Sequence, residues 1–530
     1  MSLKNSKQAA MMPFFFALAL IVGVFIGTRL NLPGSLSAFS SGKSGKLDQL
    51  FRIIEKDYVD PISADSLSEM AISSVLSELD PHSTYIPPAD LQAVNEDMEG
   101  NFEGVGIEFN ITNDTISVVS VISGGPSEKA GILPGDRIVL IDGNKVAGIK
   151  IANDDVIKKL RGKRGTKVTV AVNRKGSKKP VEFEIKRDRI PLYSIDAAFM
   201  LDGGTGYIKI SRFAATTFDE YKKAMDNLRG QGIKKLILDL RGNPGGYLDQ
   251  AIELADEFLK KDELIVYTEG KNRKKQEYFA TSTGDWETQP LAVLIDESSA
   301  SASEIVSGAL QDQDRAVIVG RRSFGKGLVQ EQMEFNDGSA MRLTVARYYT
   351  PSGRCIQRQY TQGTEAYYQE MMDRMEHFGD EDSNAVVGDT VKYYTKDKRV
   401  VYGGGGIRPD ITVKADSADY RADLIALFNT GAMSGFAFEF SDTNRDMLKK
   451  TFPNYKAFAD NAQASQKIKA DFEKYLSKNG KTLSIRLSPA AVKRAKAFIG
   501  RNVWGNEAYY YIIAMGDHTI QAAENKLKGI

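Results

Sequence analysis

Histidine and cysteine are almost missing from this chain: 530 residues hold three histidines, His82, His377 and His518, and one cysteine, Cys355. A single cysteine excludes an intramolecular disulfide framework and any Cys-x-x-Cys metal site. Three scattered histidines leave little from which to build a histidine zinc centre, and none stands near the serine-rich turn described below, where a Ser-His-Asp enzyme would need one in space. Net charge is also short. Seventy Lys and Arg against 69 Asp and Glu leave +1, so electrostatics offer no argument for a nucleic-acid partner.

What is present begins with length, which at 530 residues predicts about three to five folded units. Residues 9 to 28 carry no charge and as a helix would span about 30 Å. Lys4 and Lys7 precede them. The segment reads as a signal peptide or an uncleaved anchor within residues 1–30, and the anchor is preferred because no small-x-small cleavage site follows directly. That reading anchors the chain in the inner membrane and puts the catalytic part on the extracytoplasmic side, in the periplasm. Residues 31–46, rich in Ser and Gly, read as a tether. Across 47–100, Leu50, Ile53 and Ile54, then Met70, Val75 and Leu76, recur at helical spacing around a break at Asp60-Pro61, which predicts a small helical unit.

Residues 101–190 change to short strands, including Ile116 to Val121, Arg137 to Ile141 and Lys167 to Asn173. Helical pieces fall near Pro126 to Ala130 and Asp154 to Leu160. Residues 191–413 alternate strands and helices, which predicts an α/β core with a largely parallel sheet whose strand ends carry the functional loops. Within it Asn336-Asp337-Gly338 marks a hairpin turn, and 361–400 reads as a charged, irregular insertion. Helical periodicity returns over 414–530. The run Tyr509-Tyr510-Tyr511 there reads as packing core, and no function is assigned to the segment.

The chemistry concentrates between 239 and 330. Ser298-Ser299-Ala300-Ser301-Ala302-Ser303-Glu304 follows the buried-looking strand Leu291 to Ile295, and Ser301 with Glu304 fits a helix capping box. A capping hydroxyl also lies at the positive end of a helix dipole, and the Ala302 N–H is free to help hold an oxyanion. The pattern alone leaves Ser299, Ser301 and Ser303 open as nucleophiles. Gly320-x-x-x-x-Gly325-Lys326 approaches a phosphate loop but fails at Gly327, where Ser or Thr is needed, and continues as a strand. An apolar site would depress the Lys326 amine so that it accepts a proton from serine. Gly245, in Asp239-Leu240-Arg241-Gly242-Asn243-Pro244-Gly245-Gly246, could supply a second oxyanion N–H if that loop faces the serines.

Two resemblances sharpen this. Gly104-Val105-Gly106-Ile107, Gly125 to Ile132 and Pro134-Gly135-Asp136-Arg137-Ile138 resemble a PDZ domain. That implies that Gly104, Val105, Gly106 and Ile107 receive a peptide's terminal carboxylate and that the peptide adds as a strand. Ser299 to Ile305, Gly320 through Gln330, Tyr348 to Arg354 and Asp80-Pro81-His82-Ser83 together resemble the carboxy-terminal processing, or tail-specific, peptidases. The resemblance implies Ser301 as nucleophile, Lys326 as general base and Gln330 as the residue orienting the lysine. It also implies a crotonase-like α/β peptidase core bearing the PDZ domain, with protein or peptide substrates that have free C-termini and no metal or organic cofactor. Cys355 is taken as structural. A homo-oligomer is left open. The alternatives weighed are a non-catalytic PDZ scaffold and a crotonase-like acyl-CoA enzyme.

Overall fold

The computed structural model describes residues 45–376, 391–416, 418, 421–478 and 487–529. The proposed anchor at 9–28 and the tether up to residue 44 lie outside the described residues, and no described helix is long and apolar enough to cross a membrane. The described residues divide into two compact units, one up to residue 72 and one from residue 73 onward. The helix Lys46–Asp57 of the first ends before Pro61, and the helix Ala64–Ser77 begins after it and runs past residue 72. Proline has no N–H to continue the ladder and disfavours helical geometry in the residue before it, which accounts for the break. Leu47, Leu50 and Ile53 on the first of these helices are exposed.

In the second unit a six-stranded sheet forms the centre. Its order is Ile195–Met200, Thr205–Ile210, Lys235–Asp239, Leu291–Ile295, Val317–Gly320, Ile411–Thr412, and every pairing is parallel except the first. Leu291–Ile295 is buried on both faces, as its unbroken apolar run requires of a central parallel strand. The helices Thr217–Gly230, Leu248–Asp256 and Ala302–Asp312 contribute to one core with Leu236, Leu238 and Val293. Ile237, Ala292, Leu294 and Val319, which alternate with that set, pack with Ile520, Ala523 and Leu527 of the last helix, His518–Lys528.

A second sheet joins Thr84–Ile86, Ala340–Tyr349, Leu264–Gly270 and Arg273–Phe279, with Leu328–Glu334 paired to Ala340–Tyr349. The last pair is the hairpin foreseen at Asn336-Asp337-Gly338, and Gly338 adopts φ +85° there. Residues 107–186 form a separate antiparallel sheet in which Ile107–Thr112 is an edge strand, around Ile116, Val118, Ile138, Val170 and Ile185. The helix Asn153–Leu160 packs its Val156 and Leu160 into that core.

The reading of 361–400 as irregular is corrected. Thr364–Glu376 is a helix, and Lys392–Tyr394 pairs with Val400–Tyr402. The helix is anchored by Tyr367, which is buried, so a charged composition hid one strongly packed face. Between Ala422 and Lys528 the described residues are mainly helical, and Tyr510 and Tyr511 dock on the sheet edge. The Tyr510 hydroxyl donates to Asp196 (2.6 Å), and the Tyr511 ring lies edge-on to Phe199.

Candidate active site

Three loops leave the carboxyl ends of adjacent parallel strands, after Asp239, Ile295 and Gly320, where an open α/β sheet gathers its functional groups. The first loop holds the second by way of its backbone carbonyls. Ser299 donates its hydroxyl to the Leu240 carbonyl (2.9 Å) and accepts the Asp296 N–H (2.9 Å). The Ser303 hydroxyl donates to the Asn243 carbonyl (3.0 Å), which also accepts the Ala300 N–H (3.0 Å). Both serines are fully buried. Ser301, between them, is partly exposed, and its hydroxyl makes no hydrogen bond among the described residues. Its backbone stands at φ +54°, ψ −114°, a conformation that costs a non-glycine residue on the order of 1–3 kcal/mol.

Ser301 is the N-cap of the Ala302–Asp312 helix. Glu304 accepts the Ser301 N–H (2.9 Å) as the capping box predicts. The same carboxylate accepts the Lys326 N–H (2.9 Å), the Gly325 N–H (2.7 Å) and the Ser323 hydroxyl. Glu304 therefore ties the serine turn to the lysine loop. Burial pushes its pKa up to about 7 in spite of those donors. A second tie is Tyr348, whose hydroxyl donates to the carbonyls of Ser301 (3.2 Å) and Lys326. Glu304 was visible in the sequence only as a cap and Tyr348 only as part of a motif, because their partners are remote in the chain.

The lysine loop depends on close packing. A Cβ on Gly325, at φ +92°, would stand 2.5 Å from Arg358 Cγ. Lys326 Nζ donates to Gln330 Oε1 (3.0 Å), and the Gln330 amide nitrogen donates to the His82 carbonyl. Burial lowers the lysine pKa below its ordinary value; Arg342 adds to this, while Asp80 and Glu304 oppose it. No hydrogen bond joins the Ser301 hydroxyl to Lys326 in this structure.

Ser301, Lys326, Gln330 and Gly245 line one cleft of about 1120 Å³, together with Tyr247 and Arg342. Gly245, at φ +99°, lies against the serine turn so closely that a Cβ would stand 2.7 Å from both Ser301 Cβ and the Ala300 carbonyl. Its N–H is donated to Asn243 Oδ1 (2.8 Å), so it is engaged here and not free as the oxyanion reading expects. The Ala302 N–H has no acceptor among the described residues. The segment Gly104 to Ile107 lies apart from this cleft. There the Val105 carbonyl accepts from Ser127 N–H (3.0 Å) and hydroxyl (2.6 Å), and the Gly106 carbonyl accepts from Ile122 N–H (3.0 Å). Among the described residues no group of three His, Cys, Asp or Glu is arranged to hold a metal ion.

Comparison with known proteins matches residues 204–367 to the model of peptidase family S41, residues 104–186 to the PDZ domain, and residues 424–505 to a family of unknown function. A carboxy-terminal-processing protease of Bartonella bacilliformis is 40% identical over 347 residues, covering 64% of this chain and 79% of that protein. The carboxy-terminal processing protease CtpB of Bacillus subtilis is 37% identical over 327 residues, covering 61% and 68%. Among solved structures, the photosystem II D1 C-terminal processing protease is 28% identical over 58% of this chain and 88% of that one, with a TM-score of 0.33.

Proposed function

The chain belongs to peptidase family S41, the carboxy-terminal processing serine proteases, and carries a PDZ domain; from that premise we propose that it cleaves proteins near their C-termini with Ser301 as nucleophile and Lys326 as general base. One observation carries the choice of serine. Ser299 and Ser303 spend their hydroxyls on the 240–243 loop, whereas the Ser301 hydroxyl is unbonded in a cleft that also holds Lys326. The scaffold alternative falls with the family assignment.

In this reading the lysine, whose pKa burial lowers, takes the Ser301 proton as the oxygen attacks the peptide carbonyl. The resulting ammonium returns a proton to the leaving amine, and water activated by the same lysine hydrolyses the acyl-enzyme. Gln330 accepts one N–H of Lys326 and fixes its direction. Ala302 N–H supplies an oxyanion donor at a helix N-terminus, and Gly245 N–H joins it once Asn243 releases it. The missing Ser301–Lys326 hydrogen bond fits a resting state, since catalytic hydrogen bonds often tighten only around substrate.

The PDZ domain, with the strand Ile107–Thr112 at its sheet edge, binds the substrate's terminal residues through Gly104 to Ile107 and gates the cleft. The core is read as crotonase-like, spanning 191–413, with the helical segment 414–530 packed on it. Residues 9–28 are read as the membrane anchor, which leaves the catalytic part extracytoplasmic. The test is hydrolysis of a protein bearing a free C-terminus by the full chain, with product masses recorded. Ser301→Ala and Lys326→Ala are each expected to abolish cleavage while thermal melting is retained, and cleavage by either variant would reject the dyad.

A further inference from the structure

The turn Asp80-Pro81-His82-Ser83 has no role in the dyad reading, yet it reaches the base. Asp80 is buried, and its carboxylate accepts the N–H groups of His82 (2.8 Å) and Ser83 (2.8 Å) and the Ser83 hydroxyl (2.6 Å). An aspartate that collects the N–H groups two and three residues on builds a rigid local turn. That turn is fastened on two sides. The Ser83 hydroxyl accepts the Thr344 N–H (3.1 Å), and Thr84–Ile86 pairs with Ala340 to Arg342, on the strand paired to the one that carries Gln330. From the helix Thr364–Glu376, the Tyr368 hydroxyl donates to the Pro81 carbonyl (3.2 Å), and the Tyr367 hydroxyl meets His82 Nε2 (3.0 Å).

The product of all this fastening is one carbonyl, that of His82, aimed at the Gln330 side chain. A carbonyl only accepts, so the amide nitrogen of Gln330 has to face it, and the amide oxygen then faces Lys326 at 3.0 Å. The direction decides the chemistry. A neutral amine has one lone pair. An amide N–H turned toward Lys326 would occupy that lone pair, whereas an amide oxygen takes one of the amine's N–H groups and leaves the lone pair for the serine proton. We propose that Asp80 is a positioning residue for the base: it builds the turn whose His82 carbonyl locks the Gln330 amide in the orientation that keeps the Lys326 lone pair available. This rests on the Ser301–Lys326 reading.

The test is a double-mutant cycle on the full chain, with kcat and KM measured on one peptide substrate and thermal melting on every variant. Asp80→Ala is expected to lower kcat about tenfold with KM little changed, the scale of one lost well-made hydrogen bond. In a Gln330→Ala background it should lower kcat no further, because its effect passes through Gln330. Asp80→Asn keeps an oxygen for the two N–H donors and should restore most of the loss. Additive losses in the cycle, or an Asp80→Asn variant as impaired as Asp80→Ala, overturn the proposal. If Asp80→Ala does not fold, the cycle is run with Ser83→Ala, whose hydroxyl bridges Asp80 and Thr344. Activity surviving Ser301→Ala would remove the dyad itself; additive losses beside an inactive Ser301→Ala remove only the role of Asp80.

Discussion

Glu304 has two oxygens and four donors: the N–H groups of Ser301, Gly325 and Lys326 and the Ser323 hydroxyl. Those donors favour the carboxylate, burial favours the acid, and burial prevails, with a pKa pushed from 4.5 up to about 7. Because the folded pKa is the higher one, the folded state holds the proton more tightly. The stability gained is full below about pH 4.5 and is lost as pH rises through 7, by about 3 kcal/mol in all. Glu304→Gln removes that titration and turns an amide nitrogen toward two donors, at about 1–3 kcal/mol for unsatisfied buried groups. The variant is expected to melt below wild type at pH 5, with the gap narrowing at pH 8, and to lose kcat at both. Calorimetry at the two pH values checks the first, and peptide hydrolysis checks the second.

At the scale of elements, the sheet and its loops were largely legible. Leu291–Ile295 and Arg137–Ile141 form where apolar runs predicted strands, and the Asn336-Asp337-Gly338 hairpin closes as its turn chemistry demands. The hairpin of Leu264–Gly270 with Arg273–Phe279 was not foreseen, because its second strand is charged and exposed and shows no period-two apolar pattern. The choice among three serines was hidden for a different reason. Ser299 and Ser303 are satisfied by carbonyls 59 and 60 residues away in the chain, and no local pattern encodes that distance. The junction of these elements is Gly245, which has no room for a methyl group. Gly245→Ala would set a Cβ 2.7 Å from Ser301 Cβ at a positive φ, forcing the 239–246 loop away from the nucleophile helix. Expected is near-complete loss of peptide hydrolysis with a drop in melting temperature, whereas Gly242→Ala, where a Cβ has open space, should cost less of both.

At the scale of the molecule, the segment to which the sequence assigned no function reaches the back of the active-site loop. Asp517 caps the last helix by accepting the N–H groups of Thr519 (2.8 Å) and Ile520 (3.0 Å), and it also accepts from Arg241 (2.9 Å). Arg241 is held on its other side by Asp239, to which Tyr207 donates (2.8 Å). Burial alone would raise the Asp239 pKa, but Arg241 and Lys209 outweigh it and hold that carboxyl well below the usual range. Two separate effects should then be separable by variant. Deleting residues 516–530 strips Ile520, Ala523 and Leu527 from the sheet face formed by Ile237, Leu294 and Val319. At about 1.5–3 kcal/mol for each large side chain, that loss consumes much of the 5–15 kcal/mol typical of a domain, so the truncated chain is expected to be insoluble or to melt far below wild type. Asp517→Asn keeps the apolar contacts and one capping oxygen but weakens the grip on Arg241. It should melt close to wild type and lose kcat severalfold, read by peptide hydrolysis beside circular dichroism. Unchanged kcat in that variant would mean that the helix covers the sheet without steadying the loop.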